Sequence, residues 1–283
     1  MIIDGKKIAE SFRAKIAAEV EELNKIYERP PLLAVLMVGH DSASEVYVQR
    51  KREACAEVGI ETRQYSFPLS IKQVDLLHVI DLLNQDESVD GILVQLPLPC
   101  HINVNNVLEC IVPQKDVDGL HPYNLGRLAQ RHPSFRPCTP QGVMALLESI
   151  DYHCQGVHAV VVGCSNIVGQ PMALELLSAG ATVTVCHSHT RKIQSYIEMA
   201  DLIVSAVGKP GLIKGAWIKK GAVVIDVGIT RLPSGKLVGD VEFLPAAKRA
   251  GWITPVPGGV GPMTVAMLLE NVLLAAKCRS VCS

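Results

Sequence analysis

Residues 47–51 read YVQRK, placing the phenol of Tyr47 and the ammonium of Lys51 four positions apart. On a helix, positions i and i+4 share a face, so both groups would meet the same object, solvent or a substrate. A second stretch with chemical content is HAVVVGCSNIVGQP (158–171), where Gly163 and Gly169 lie between an apolar, β-branched run and a helical pattern. Backbone N–H groups at such a helix start can hold a pyrophosphate. The spacing departs from G-x-G-x-x-G, because Ser165 stands where the second glycine would be and the last glycine comes one residue late. Alone, the turn fits a structural bend as well as a nucleotide; the apolar strands that follow it favour a dinucleotide.

An NAD site usually carries Asp or Glu about 20 residues past the glycines, where it meets the ribose. Here the segment is CHSHTRK (186–192), with Ser188, His189, Thr190, Arg191 and Lys192 and no carboxylate. A 2′-phosphate would find donors there, so NADP is favoured over NAD, against the plainer reading of a polar loop opening a helix. His187 and His189 have no evident third ligand, and no metal site is expected.

These groups need elements to position them. Ile8, Phe12, Ile16 and Val20 recur at helical spacing, and PPLLAVLMVG (30–39) follows as a buried strand closed by glycine. DSAS (41–44) offers N-caps for a helix that carries YVQRK and stops at Gly59. TRQYSF reads as a strand, VDLLHVIDLL as an amphipathic helix and GILVQL (91–96) as a second buried strand. After a loop rich in Pro and His, TPQGVMALLESI reads as a helix, and HAVVVG, TVTVC, LIVSAV and AVVIDVG as four strands of a doubly wound unit. PMTVAMLLENVLLAAK closes the chain as a long apolar helix with Pro262 in its first turn, expected to pack back onto the rest.

At 283 residues the chain can hold two domains or one large one, since single cores stop growing near roughly 250–300 residues. Charged residues are 19%, hydrophobic residues 48% and the net charge is −1, which gives no general attraction to nucleic acid or anionic membrane. Lys6, Lys7, Glu10 and Arg13 interrupt the N-terminal apolar residues, so neither a signal peptide nor a membrane span is expected there. The nine cysteines are dispersed without a C-x-x-C, which predicts free thiols and a cytoplasmic setting.

The Y-x-x-x-K spacing is similar to the catalytic pair of short-chain dehydrogenases, but there the glycine loop precedes the pair. Here Tyr47 and Lys51 come more than a hundred residues before Gly163. VGHDSASEVYVQRK (38–51), DGILVQLPLP (90–99), KDVDGLHPYNLGRL (115–128), PCTPQG (137–142), VVGCSNIVGQP (161–171) and PVPGGVGPMT (255–264) instead resemble, in sequence and order, the bifunctional methylenetetrahydrofolate dehydrogenase/methenyltetrahydrofolate cyclohydrolase family. HPYN after DVDG is similar to its bacterial branch.

The resemblance implies an α/β chain of two domains with a cleft between them. Residues 1–142, joined by a C-terminal helix at 262–283, would form the folate-binding catalytic domain, and residues 143–261 a Rossmann-like NADP-binding domain. It also implies a homodimer and two reactions on tetrahydrofolate derivatives: NADP takes hydride from the 5,10-methylene compound, and water then opens the 5,10-methenyl cation to 10-formyl-tetrahydrofolate. Lys51 would accept a proton from water and return one to the departing nitrogen. Gln95 would orient Lys51, Tyr47 would stack on the p-aminobenzoyl ring and Asp118 would hold the pterin edge. Asp116 is the competing acid, with a turn or cap as its plainer role.

By the same resemblance, Gly163, Cys164, Ser165, Gly169, Ser188 and Ile229 contact the cofactor, while Gly259, Pro262 and Thr264 border the substrate. One residue departs from the family pattern: Cys164 stands where an arginine commonly meets the 2′-phosphate. Losing that charge-assisted bond would cost about 1.5–3 kcal/mol, a tenfold to hundredfold weaker NADP preference. NAD use therefore stays open, with Arg191 or Lys192 as compensating cations. Two alternatives are a monofunctional dehydrogenase, against which the joint presence of Lys51 and Gln95 speaks, and a non-catalytic folate or dinucleotide sensor, against which the intact set of Tyr47, Lys51, Gln95 and Asp118 speaks.

Overall fold

The run LLAVLMV forms β1 (Leu32–Val38), and all seven residues are buried, as a strand covered on both faces requires. The computed structural model describes residues 1–27, 29–39 and 42–279. They fall into two compact units that interleave along the chain.

One unit comprises Ser11–Arg127, Pro133–Cys138 and the residues from Val265 onward. It contains most of α1 (Gly5–Tyr27), then β1, α2 (Ser42–Glu57), β2 (Glu61–Phe67), α3 (Gln73–Gln85), β3 (Gly91–Val94), α4 (Val104–Cys110) and most of α5 (Pro122–Ala129). The sheet is parallel in the order β2-β1-β3, with Leu36 opposite Tyr65 on one side and Val94 on the other. β3 is wholly buried, whereas the edge strand β2 turns Glu61, Arg63, Gln64 and Ser66 to solvent. Because β1 lies between its two successors, the chain runs away from its carboxyl end on one side and returns on the other, which opens a crevice between the ends of β1 and β3. The caps expected within DSAS (41–44) fall outside the described residues and side chains. α2 ends before Gly59, whose φ of +82° suits glycine.

The Pro- and His-rich segment expected as loop contains α5. Pro122 is its first residue, where the missing N–H costs nothing and the fixed φ already suits a helix.

The other unit comprises Met1–Glu10, Leu128–His132 and Thr139–Thr264. After α6 (Cys138–Glu148) come β4 (His158–Val162), α7 (Gly169–Ser178), β5 (Thr182–Cys186), α8 (Ile193–Met199), β6 (Leu202–Ser205) and β7 (Val223–Asp226). A small hairpin, β8 (Thr230–Arg231) with β9 (Leu237–Val238), is followed by α9 (Phe243–Ala247) and β10 (Trp252–Ile253). Four strands were expected here; the fifth, β10, is two residues long and too short to register as a period. The parallel sheet runs β10-β7-β6-β4-β5, a doubly wound order whose switch point falls between β4 and β6. Ile2 extends it by bridging Ile253.

The closing helix α10 (Val260–Arg279) begins two residues before the expected proline, leaving Pro262 in its first turn. It is long and apolar enough to cross a membrane, yet Met267, Leu268, Leu269, Val272 and Leu273 are buried, as in a core helix. The eight described cysteines are free thiols.

Since Leu36 is fully buried at the centre of the three-stranded sheet, Leu36→Ala should cost about 2–5 kcal/mol of stability. Gln64→Ala, on the exposed edge strand, should stay within about 0.5 kcal/mol. Urea midpoints of the two variants check the contrast.

Candidate active site

The crevice between β1 and β3 receives side chains from the segments that leave those strands. Lys51 lies on α2, after β1, and Gln95 directly follows β3. Gln95 is fixed by its main chain, whose N–H donates to Leu36 O at 2.8 Å. Its amide nitrogen donates to Leu96 O at 2.7 Å, which turns its oxygen to accept from Lys51 Nζ at 3.1 Å. Tyr47 stands one helical turn before Lys51 and is half-buried. Burial raises its phenol above the ordinary range, opposed by the charge of Arg50, so it stays neutral. Arg50 itself is exposed.

Asp116 and Asp118 divide their work. Asp116 is buried and accepts from Leu120 N at 3.2 Å, His121 N at 2.8 Å and Asn124 Nδ2 at 2.8 Å, anchoring the start of α5. Burial raises its carboxyl above the usual range, against those donors. The plainer reading of Asp116 as a cap therefore describes it. Asp118 is half-buried, and its main-chain O accepts at 3.3 Å from the N–H of Cys138, whose thiol donates to Val117 O. Burial, then the Asp118 carboxylate, pushes that thiol well above its ordinary value, while Lys51 pulls it down. Cys138 lies in the PCTPQG motif and had no assigned role; no local pattern signals it, because its partners are distant in sequence.

In the other unit, the turn after β4 sits at the switch point between β4 and β6. Gly163 has a φ of +123°, and a Cβ there would strike the carbonyl of Ala206, just past β6. A Cβ on Gly169 would strike the Gly163 carbonyl. Ser165 explains the unusual spacing: its Oγ accepts from Val168 N at 3.3 Å and Gly169 N at 3.4 Å, so its hydroxyl builds the turn. Cys164 is exposed. Ser188, His189 and Arg191 are exposed past β5, the strand beside β4. His187 Nδ1 accepts from His189 N at 3.2 Å, and no group of three or more metal-ligating side chains occurs among the described residues.

Ile229 is partly exposed after β7, and a Cβ on Gly261 would lie 3.7 Å from its Cδ1, so Ile229 meets the start of α10. Within that turn a Cβ on Gly259 would come 2.6 Å from Pro255 O. Thr264 Oγ1 pairs with Thr139 Oγ1 at 3.1 Å, and Pro262 is the third residue of α10.

The loops after β6 and β7 hang on two buried carboxylates that the motifs do not reveal. Asp240 accepts from Ser205 Oγ at 2.9 Å, Val207 N at 2.8 Å and Lys209 N at 2.8 Å. Asp226 accepts from Gly228 N at 3.1 Å, Asp240 N at 3.0 Å and Val241 N at 2.9 Å.

A lysine–amide pair at one switch point and a glycine-lined turn at another define a two-unit α/β enzyme of the dinucleotide-dependent class. The tetrahydrofolate dehydrogenase/cyclohydrolase catalytic-domain model matches residues 3–118, and the NAD(P)-binding-domain model of the same family matches residues 137–280. Among similar solved structures, the bifunctional FolD methylenetetrahydrofolate dehydrogenase/cyclohydrolase of Campylobacter jejuni is 48% identical over 99% of each chain, with a TM-score of 0.96. The Trypanosoma brucei enzyme, complexed with NADP cofactor and inhibitor, is 42% identical over 100% of this chain and 99% of that one, with a TM-score of 0.95. A methylenetetrahydrofolate dehydrogenase of the silkworm Bombyx mori is 41% identical over 99% of each chain, with a TM-score of 0.94. The chain belongs to the tetrahydrofolate dehydrogenase/cyclohydrolase family.

Burial pushes the Asp226 carboxyl up from 3.8 to about 6. The folded state therefore holds this proton more tightly than the unfolded chain, and the resulting stabilisation is complete below pH 3.8 and lost as pH rises through about 6. The shift corresponds to about 3 kcal/mol. Asp226→Asn should flatten the stability profile between pH 4 and 7 by that order, measured by urea unfolding across the range.

Proposed function

We infer that this chain is a bifunctional one-carbon folate enzyme. It oxidises 5,10-methylene-tetrahydrofolate to the 5,10-methenyl compound with NADP, then hydrolyses that cation to 10-formyl-tetrahydrofolate. The observation that carries this reading is the 3.1 Å bond between Lys51 Nζ and Gln95 Oε1, in a chain matched by family models of both domains.

NADP, when bound, supplies the nicotinamide that accepts hydride. The donors past β5 and the backbone of the glycine turn suit its phosphates. The hydride step removes no proton from carbon, so Lys51 is assigned to hydrolysis: it takes a proton from the attacking water and returns one to the departing ring nitrogen. Gln95 limits the positions of Nζ because its own amide is held by Leu96 O. Tyr47 offers a neutral aromatic face for the p-aminobenzoyl ring. Asp118 can accept two N–H bonds from an aminopyrimidinone edge, selecting the pterin by geometry and charge. Gly259, Pro262 and Thr264 are assigned to the substrate border, and Ser188 and Ile229 to the cofactor.

Lys51→Met should abolish methenyl-folate hydrolysis while NADP reduction falls much less, with the two followed in separate assays. Normal hydrolysis by that variant would overturn the assignment. Cys164→Arg restores a cation beside the cofactor's expected 2′-phosphate. The ratio of kcat/KM for NADP to that for NAD should rise about tenfold to a hundredfold; an unchanged ratio would mean that Arg191 or Lys192 already supplies the charge.

A further inference from the structure

Asn271 is the buried polar residue of α10, 2% exposed among Leu268, Leu269, Val272 and Leu273. A primary amide in such surroundings is costly unless its hydrogens are bonded. Asn271 Nδ2 donates to Val117 O at 2.9 Å and to Arg136 O at 3.0 Å, and reaches Cys138 Sγ at 3.6 Å. One side-chain nitrogen thus ties the segment before Asp118 to the segment before Cys138. The two segments are closed on each other by further contacts. Cys138 N donates to Asp118 O at 3.3 Å, and Cys138 Sγ donates to Val117 O at 3.3 Å. A Cβ on Gly119 would lie 2.5 Å from the carbonyl carbon of Arg136, so the backbones touch with no room for a side chain. Asp118 is the one carboxylate of this clamp that stays half-exposed.

We propose that Asn271, acting with the Cys138 thiol, is a positioning residue that fixes the Asp118 carboxylate in the orientation the folate substrate requires. The amide holds the carbonyl just before Asp118 and that of Arg136, while Cys138 bonds the carbonyl of Val117 through its thiol and that of Asp118 through its N–H. Neither group need touch the substrate. This inference rests on the assignment of Asp118 to substrate binding.

The test is a double-mutant cycle on the full-length enzyme, reading KM for methylene-tetrahydrofolate and for NADP separately. Asn271→Leu keeps the side-chain volume without the donor and should raise the folate KM about tenfold, with the NADP KM unchanged within twofold. In an Asp118→Ala background, the same substitution should produce no further rise. Should Asn271→Leu fail to fold, Cys138→Ala gives the same reading, and Cys138→Ser, which keeps a donor, should restore the folate KM to within about threefold of the parent. An equal rise in both KM values, or a full additional rise on top of Asp118→Ala, would overturn the proposal and leave Asn271 a purely structural residue. If Asp118→Ala leaves the folate KM unchanged, the assignment of Asp118 itself has failed. The two failures are therefore distinguishable.

Discussion

A loop leaving the carboxyl end of a buried parallel strand carries N–H and C=O groups that the sheet no longer satisfies, and leaving them bare would cost kilocalories apiece. Buried and half-buried side chains satisfy such groups, and those at helix ends, in both units. Asp116 collects the N–H groups at the start of α5, Asn271 the carbonyls of Val117 and Arg136, and Lys115 the carbonyls of Leu83, Asn84 and Asp86 at the end of α3. In the five-stranded unit Asp226 and Asp240 do the same for the loops after β6 and β7. Of the proposed site residues, Asp118 and Ile229 lie in segments held this way, so their placement depends on that polar framework.

That framework has an electrostatic cost. Burial raises the carboxyls of Asp116 and Asp226 against several backbone donors each, and lowers Lys115 despite the nearby carboxylates. Desolvation outweighs local attraction in all three cases. The compensation is rigidity: a carboxylate holding several N–H groups at once allows a loop little freedom, and a reaction that depends on placing a hydride donor or a water benefits from that restraint.

Strands and helices were legible where the apolar pattern is strong. LLAVLMV, GILV and HAVVV stand out because both sheet faces are covered, and YVQRK lies on a helix as its spacing requires. Shorter elements escaped: β10 has too few residues to show a period, and α5 was obscured by the Pro and His around it. Lys51, Gln95 and Asp118 were nameable from motifs, but the spacing of each motif is local. Asn271 pairs with Val117 across 154 positions and sits in a helix that reads as uniformly apolar, so only the fold reveals its role. Ser165 is a middle case: visible as a departure from the glycine pattern, yet interpretable only once its hydroxyl is seen capping Val168 and Gly169.

The Tyr–Lys spacing shows how little a spacing determines by itself. One helical turn brings a phenol and an ammonium to one face in any protein that uses it, and a lysine so placed is ordinarily a solvated charge. What distinguishes Lys51 is the acceptor opposite it, and that acceptor exists because β3 ends beside Leu36 and delivers Gln95 to the same crevice. Had the sheet order been β1-β2-β3, β2 would lie between the ends of β1 and β3, and the pair could not form. The order β2-β1-β3 is therefore a chemical requirement as much as a packing solution, since it turns a helix-surface lysine into a partly desolvated group with one fixed hydrogen-bond partner.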